Sequence, residues 1–327
     1  MAANFKGNKS MKITQAQRKL KAILTGIGVI TTLMFGLSAH AATPLPPGPP
    51  GPVAIPMSTG FSAGDPGTIT GLNSLCVDVA HSGTSNGTPI QLWDCNNTNA
   101  QRWWIGGRSG NEIVNPLGYA DMSILGGRNH SNDVVEWVYG VRADRWLYQN
   151  MELVTNGGKC IDVPGQNFRD GQAVQLYDCN GSAAQQWTYE PSTHLLRAAK
   201  NNMCLDARAY GTSNGTVVQI WTCTGASNQQ WIPSKGGFAS GILFSFACLD
   251  VDANGKNANG TKIQLWSCPS DPNIYIINDN QRFALRGQIK NATTGQCLDV
   301  PHSHAVAGQQ LQAYACNGTG AQRWTMW

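Results

Sequence analysis

The sequence predicts an all-β protein assembled from six copies of one short repeat. Three observations point there. A Gln-x-Trp marker returns at near-constant intervals, cysteines recur in pairs on the same period, and 37 Gly and 16 Pro accompany only 13% charged residues. That composition suits short strands joined by tight turns. Beyond the N-terminal segment no 3.6-residue apolar periodicity is sustained, so helices are not expected.

Residues 1–41 read as a signal peptide. Lys6, Lys9, Lys12, Arg18, Lys19 and Lys21 precede an apolar run over 22–37, and Ala39-His40-Ala41 offers small residues for cleavage after Ala41. The run is short for a spanning helix and no second one follows, so no membrane insertion is expected after cleavage. No cysteine lies near the cut, which argues against a lipid anchor. Six of the 23 basic residues leave with this segment, so 17 remain against 19 acidic ones. The basicity belongs to the leader and is no evidence for a nucleic-acid partner. Residues 42–64, Pro-rich at 43–52, form a stiff extended tether without a core.

The repeats begin near Asp65. Gln101-Arg102-Trp103, Gln185-Gln186-Trp187, Gln229-Gln230-Trp231 and Gln322-Arg323-Trp324 are full markers; Asp144-Arg145-Trp146 and Gln281-Arg282-Phe283 are eroded ones. Their aromatic positions are 43, 41, 44, 52 and 41 residues apart. The cysteines pair on the same period as Cys76/Cys95, Cys160/Cys179, Cys204/Cys223, Cys248/Cys268 and Cys297/Cys316, separated by 19, 19, 19, 20 and 19 positions. One bridge per repeat is the simplest connectivity, each worth roughly 3 kcal/mol in the loop-entropy picture. Export makes such bridges expected. No metal or cofactor is expected, since there is no Cys-x-x-Cys and no His at ligand spacing. The second repeat carries Tyr119 and Val138 in the cysteine places.

Within a repeat, a strand over 76–79 runs into a turn over 82–87 and a second, alternating strand over 88–93. Asn-Gly and Asp-Gly pairs at 86–87, 170–171, 214–215 and 259–260 fit hairpin turns. The Trp of each marker fills a shared core. A unit of about 40 residues cannot bury its own core, so copies must close on one another, as one ring or as two threefold units.

The pattern Cys-Leu-Asp-Val, then Val-Gln-Leu-Trp/Tyr-x-Cys, then Asn/Ala-Gln-x-Trp resembles the ricin B-type lectin repeats and is similar to carbohydrate-binding modules attached to bacterial xylanases. The resemblance covers residues 65–327 and implies the β-trefoil. The expectation is two tandem trefoils, 65–190 and 191–327, divided near Glu190-Pro191-Ser192-Thr193.

A sugar presents hydroxyls at its edge and C–H groups on one face. A site for it wants a carboxylate or amide beside an aromatic ring. Five repeats offer that pair: Asp78 with Trp93, Asp162 with Tyr177, Asp206 with Trp221, Asp250 with Trp266, and Asp299 with Tyr314. The offset of 15 or 16 residues places the Asp on one strand and the ring on the next. The resemblance adds an amide two residues before each ring, namely Gln91, Gln175, Gln219, Gln264 and Gln312. It also adds the Asn before Gln-x-Trp, which only Asn228 and Asn280 keep; Ala100, Ala184 and Ala321 replace it elsewhere. The fourth repeat is therefore the complete site, with Gln229 orienting it from behind. The fifth has the same set, with an insertion over about 269–279 placed to wall the pocket or displace Asn280. In the second repeat, counting 15 from Asp121 puts Glu136 in the ring place and Val134 in the amide place. A one-residue slip gives Trp137 and Val135, with Ala143 for the Asn in either register, so that site is expected to be dead.

The resemblance thus implies a secreted, non-enzymatic, multivalent lectin whose partners are cell-surface glycans or polysaccharide, of galactose-type or xylan-like composition. A second reading is the cell-binding subunit of a multi-chain toxin, with a partner chain carrying the chemistry. A third is an inert trefoil interaction protein. An enzyme is not expected, since residues 42–64 cannot house an active site and no nucleophile–base or paired-carboxylate arrangement stands outside the repeats.

Overall fold

The computed structural model describes residues 66–106, 111–125, 132–138, 144–234, 236–255, 257–269 and 278–326. The signal peptide, the tether, Ala143 and most of the insertion over 269–279 lie outside the described residues. Among those described, no helix is long and apolar enough to cross a membrane.

Strands and short 3-10 turns make up the regular structure. In each cysteine-bearing repeat the strand holding the Asp pairs antiparallel with the strand holding the ring. Cys76–Val79 pairs with Ile90–Trp93 so that Asp78 faces Gln91 and Cys76 faces Trp93. The same register recurs as Asp206 with Gln219 and Asp250 with Gln264. Because side chains alternate faces along a strand, the Asp, the Gln and the ring two residues further on share one face. The indoles of Trp103, Trp146, Trp187, Trp231 and Trp324 are buried in the core. Each donates its Nε1–H to a strand carbonyl, for example Trp231 to Leu205 at 3.0 Å and Trp324 to Leu298 at 2.9 Å, so no buried donor is wasted.

All five in-repeat disulfides are formed, as Cys76–Cys95, Cys160–Cys179, Cys204–Cys223, Cys248–Cys268 and Cys297–Cys316. The two ends of each bridge differ in setting. Cys76, Cys160, Cys204, Cys248 and Cys297 lie on the Asp strand and are buried. Their partners lie beyond the ring strand, in the loop that follows it. There Cys95 and Cys316 are exposed, while Cys179, Cys223 and Cys268 are half-buried. A bridge therefore ties a surface loop back to the buried strand of its own hairpin. Its stabilisation comes from closing the loop, as the spacing implies.

The repeats close as two rings, but not in the tandem order expected. Repeats three, four and five form one. Their hairpins meet at Gln172↔Ile220, Val217↔Gln264 and Gln175↔Lys262. Their outer strands close through Trp187↔Ala198, Trp231↔Ser240 and Phe283↔Thr155. Repeats one, two and six form the other, with hairpins joined at Pro89↔Val135, Asp133↔Gln312 and Gln91↔Gln310. Here the outer strands close through Trp104↔Val114, Trp146↔Asn291 and Thr70↔Thr325. Each ring thus has three hairpins capping six barrel strands, which is the β-trefoil. One trefoil is inserted between the second and sixth repeats of the other.

The boundary expected near Glu190 is not there. Trp187–Glu190 pairs residue for residue with Leu195–Ala198, so 191–194 is a turn inside one sheet. The chain passes between rings instead along the ten-residue strand Trp146–Thr155, whose start closes one barrel and whose end closes the other. It returns through Phe283–Gly287, which pairs with both Trp146–Thr155 and Trp324–Met326. At that seam Glu152 accepts hydrogen bonds from Arg286 Nε (2.8 Å) and Arg323 Nη2 (2.6 Å).

The second repeat also differs from its sequence reading. Trp146 donates to the carbonyl of Met122, as its counterparts donate to Val77 and Leu205 just before the Asp. Ser123, opposite Val135, therefore holds the Asp place, and Asp121, opposite Trp137, holds the cysteine place expected for Tyr119. The register with Trp137 in the ring place and Val135 in the amide place is the one adopted. Without a disulfide, the buried indole and Asp144, which accepts from Ile124 N at 2.6 Å, anchor it, and spacing from Asp121 misleads.

Glu136 then occupies a core place. Its carbonyl accepts from Gly87 N at 2.8 Å, as Leu176 and Leu265 accept from Gly260 and Gly215. The side chain is buried, neither carboxylate oxygen has a hydrogen-bond partner among the described residues, and burial pushes its pKa from 4.5 to about 8. The folded form therefore holds a proton that the unfolded form releases above 4.5. Stability falls as pH rises from there and levels off above about 8. Glu136→Leu is expected to stabilise the protein by about 3 kcal/mol at alkaline pH and by less in acid, read from urea midpoints at both.

Candidate carbohydrate site

Five repeats build the same cage around a buried aspartate. In the first, Gln91 Nε2 donates to Asp78 Oδ1 at 3.0 Å and Gln101 Nε2 to Asp78 Oδ2 at 3.1 Å. Gln175 with Gln185 hold Asp162 likewise, and Gln312 with Gln322 hold Asp299. The marker glutamine ends a 3-10 turn and ties down the loop after the ring. Gln101 donates to Asp94 O at 2.9 Å and accepts from Asn96 N at 2.8 Å. It is thus both a brace for the backbone and a direct partner of the carboxylate. Cys95, between those two contacts, pins the same loop to Cys76, and Cys223, Cys268 and Cys316 do so in repeats four, five and six. The rings are at the surface: Trp93, Tyr177, Trp221, Trp266 and Tyr314 are between 38% and 50% exposed. With the core already filled by the marker indoles, these five present their faces to solvent.

Repeat four has the fullest cage. Gln219 donates to Asp206 Oδ1 at 2.9 Å, while Asn228 and Gln229 donate to Oδ2 at 2.8 and 3.1 Å. All five residues expected there, Asp206, Gln219, Trp221, Asn228 and Gln229, line one cleft of about 440 Å³. Asn228 lines the cleft, while its Oδ1 is buried without a partner among the described residues. Burial raises the Asp206 pKa against the three amide hydrogen bonds, with Asp170 adding to the rise. Gly171 of repeat three, at φ +82°, lines the same cleft against the ring: a Cβ there would lie 3.7 Å from Trp221 Cζ3. Gly308 of repeat six stands equally against Trp93. A neighbouring repeat thus stands against the ring in both the fourth and the first repeat.

In repeat five the insertion has not displaced Asn280. Its Nδ2 lies 2.5 Å from Asp250 Oδ2, and Gln264 donates to Oδ1 at 3.0 Å. A cleft of about 370 Å³ opens beside it, lined by Asp252, Ala253 and Asn280 and by Thr155, Asn156 and Gly157 from repeat three. The bridge cysteines Cys223 and Cys268 are not among the residues lining these two clefts; their disulfides hold the loop after the ring. Burial raises Asp250 to about 6, with Asp252 acting in the same direction and the Gln264 hydrogen bond opposing. The ionised carboxylate is the form that accepts a ligand hydroxyl. Binding at Trp266 is therefore expected to weaken as pH falls through about 6, and Asp250→Asn to abolish that dependence in a fluorescence titration.

Three residues at the fourth and fifth sites escaped sequence reasoning: Arg208, Tyr210 and Asp252. Arg208 and Tyr210 line the fourth cleft, and Asp252 stands in the fifth repeat where Arg208 stands in the fourth. They follow the Asp by two or four positions, places where the repeats share no single residue type for spacing to mark. The second repeat has no caged aspartate, with Ser123 opposite Val135.

β-Trefoils in which five of the six repeats hold an amide-caged aspartate beside an exposed ring define carbohydrate-binding domains of the lectin type. Residues 149–276 match the model of the ricin-type beta-trefoil lectin domain, and residues 279–326 match that of a ricin-type beta-trefoil lectin domain-like family. Over the matched residues the chain carries ricin-type β-trefoil lectin domains. The first match falls on the inserted trefoil and the second on the sixth repeat. No curated protein matches by sequence.

Among solved structures, similarity extends to a non-toxic homologue of type II RIPs from Momordica charantia (bitter gourd) in complex with α-methyl-D-galactoside. It is 16% identical over 67% of this chain and 96% of that one, with TM-score 0.33. The earthworm R-type lectin C-half in complex with GalNAc is 21% identical over 43% and 96%, with TM-score 0.31. The Macrolepiota procera ricin B-like lectin in complex with lactose is 17% identical over 44% and 96%, with TM-score 0.33. Likenesses this distant carry no weight for what this chain binds.

Proposed function

We propose that the chain is a secreted, non-enzymatic, multivalent lectin for galactose-type or xylan-like glycans. The observation that supports this best is the fourth cleft, where a caged Asp206, the Asn228 amide and the half-exposed Trp221 line one wall. The carboxylate and amides suit sugar hydroxyls, and the ring suits the C–H face. The five bridges and the N-terminal leader support secretion. Each pocket is open and so weak alone; several on one body gain strength through effective concentration. A glycan array on the chain lacking residues 1–41, followed by titration with the matching monosaccharide, tests both parts. Array binding far tighter than monosaccharide binding is expected. Equal per-site constants would remove multivalency, and an array without any bound glycan would remove the reading altogether.

A second reading, the glycan-binding subunit of a multi-chain toxin, has one observation in its favour. Leu243, Phe244 and Phe246 stand out from the turn before Ala247–Val251, with Phe244 89% exposed. The corresponding turns of other repeats hold polar residues such as Asn201 and Asn202. Phe244 and Phe246 also adopt positive φ, uncommon for bulky side chains. A cluster of this kind suits a protein contact. A chain co-purifying from the natural source, and lost on Phe244→Ser with Phe246→Ser, would favour this reading.

A further inference from the structure

The fourth and fifth repeats carry the same inner set but opposite charges at the rim. Two residues after the caged aspartate stands Arg208 in the fourth repeat and Asp252 in the fifth, where the first, third and sixth have Ala80, Pro164 and Pro301. Arg208 is placed by a turn in which Ala209 and Tyr210 both take positive φ, and it shares the cleft with Asp206, Tyr210 and Trp221.

Its hydrogen bonds change what the cleft offers. Arg208 Nε donates to Gln219 Oε1 at 2.8 Å, and Nη2 donates to Gly171 O at 3.2 Å. Of five guanidinium N–H groups, three are left without a protein partner among the described residues. In the other four sites the equivalent amide oxygen, on Gln91, Gln175, Gln264 or Gln312, has no donor among the described residues and is free to accept from a hydroxyl. In the fourth it is taken, and a fork of donors stands in its place. Neither nearby acid pairs with Arg208, and both keep their own partners: Asp206 accepts three amide hydrogen bonds, and Asp170 accepts from Thr222 N at 2.6 Å and Thr222 Oγ1 at 3.0 Å.

Resting on the carbohydrate reading above, we infer that the fourth site selects a saccharide bearing a carboxylate. The guanidinium receives the carboxylate as a charge-assisted, two-pronged pair, while Trp221 covers the ring face. The fifth site, with Asp252 at its rim, disfavours the same ligand by like-charge repulsion. One chain would then read acidic and neutral sugars at separate repeats.

The test follows the indole N–H signals of Trp221, Trp266 and Trp93 by NMR in the chain lacking residues 1–41, during titration with methyl galacturonide or methyl galactoside. Trp221 is expected to respond to the uronide at about tenfold lower concentration than to the galactoside, a gap that narrows in high salt. Arg208→Ala should close the gap by weakening the uronide response about tenfold more than the galactoside response, and Asp252→Arg should create a gap at Trp266. Equal responses of Trp221 to both glycosides, with Trp93 or Trp266 still responding, would overturn the inference and leave the lectin reading standing. Equal weakening of both ligands by Arg208→Ala would also overturn it, since Arg208 would then only hold Gln219 in place. Silence at all three indoles with every glycoside would instead overturn the lectin reading.

Discussion

A fragment of residues 148–287 is expected to fold on its own, whereas a fragment of residues 65–190 is not. The first contains all six barrel strands and all three hairpins of the inserted trefoil, with the bridges Cys160–Cys179, Cys204–Cys223 and Cys248–Cys268. The second holds two repeats of one ring and one of the other, so both barrels are left open. Its third repeat loses Thr155↔Phe283 and Gln175↔Lys262, and its first loses Thr70↔Thr325 and Gln91↔Gln310. Each open edge exposes core indoles and unpaired backbone groups. A cooperative thermal transition and a dispersed NMR spectrum are expected for 148–287 only. A well-folded 65–190 with an unfolded 148–287 would restore the tandem arrangement.

Asp206→Ala is expected to damage both stability and binding. Without the carboxylate, Gln219, Asn228 and Gln229 keep buried N–H groups with no acceptor on that side. Leaving such donors unpaired costs about 1–3 kcal/mol each, eased by water entering the open cleft, so a net loss of about 3 kcal/mol is expected. Sugar response at Trp221 should disappear. Trp221→Ala separates the two effects. This half-exposed ring carries little of the core, so stability should stay within about 0.5 kcal/mol while binding at the fourth site is lost. Unchanged glycan binding in both variants would leave the cages as structure alone and favour an inert scaffold.

Much of this was legible in the sequence because the period itself carries the geometry. A fixed cysteine separation closes a hairpin, and closure sets Asp78 opposite Gln91 with Trp93 on the same face. The same reading then serves five repeats. The spacing does not show that the two ends of a bridge differ, with Cys76 buried on a strand and Cys95 exposed on a loop. Which three repeats close together was not legible either. All six carry equivalent hairpins and barrel strands, and nothing local to Glu190 distinguishes a turn from a boundary. The second repeat was misread because spacing was counted from Asp121, while the residue that anchors the register is Trp146. Arg208 escaped because its place holds Ala, Pro, Pro and Asp elsewhere, so no repeated signal marks it. It became visible only as a hydrogen bond to Gln219.

The division of indoles between core and surface leads to the most direct test of carbohydrate binding. Separate NMR titrations with methyl galactoside and with xylobiose would follow every tryptophan indole of the chain lacking residues 1–41. Saturable shifts should appear at Trp221, Trp266 or Trp93, while Trp103, Trp146, Trp187, Trp231 and Trp324 stay fixed in the core. Shifts at the buried set without shifts at the exposed one, or no shift with either sugar, would contradict the account.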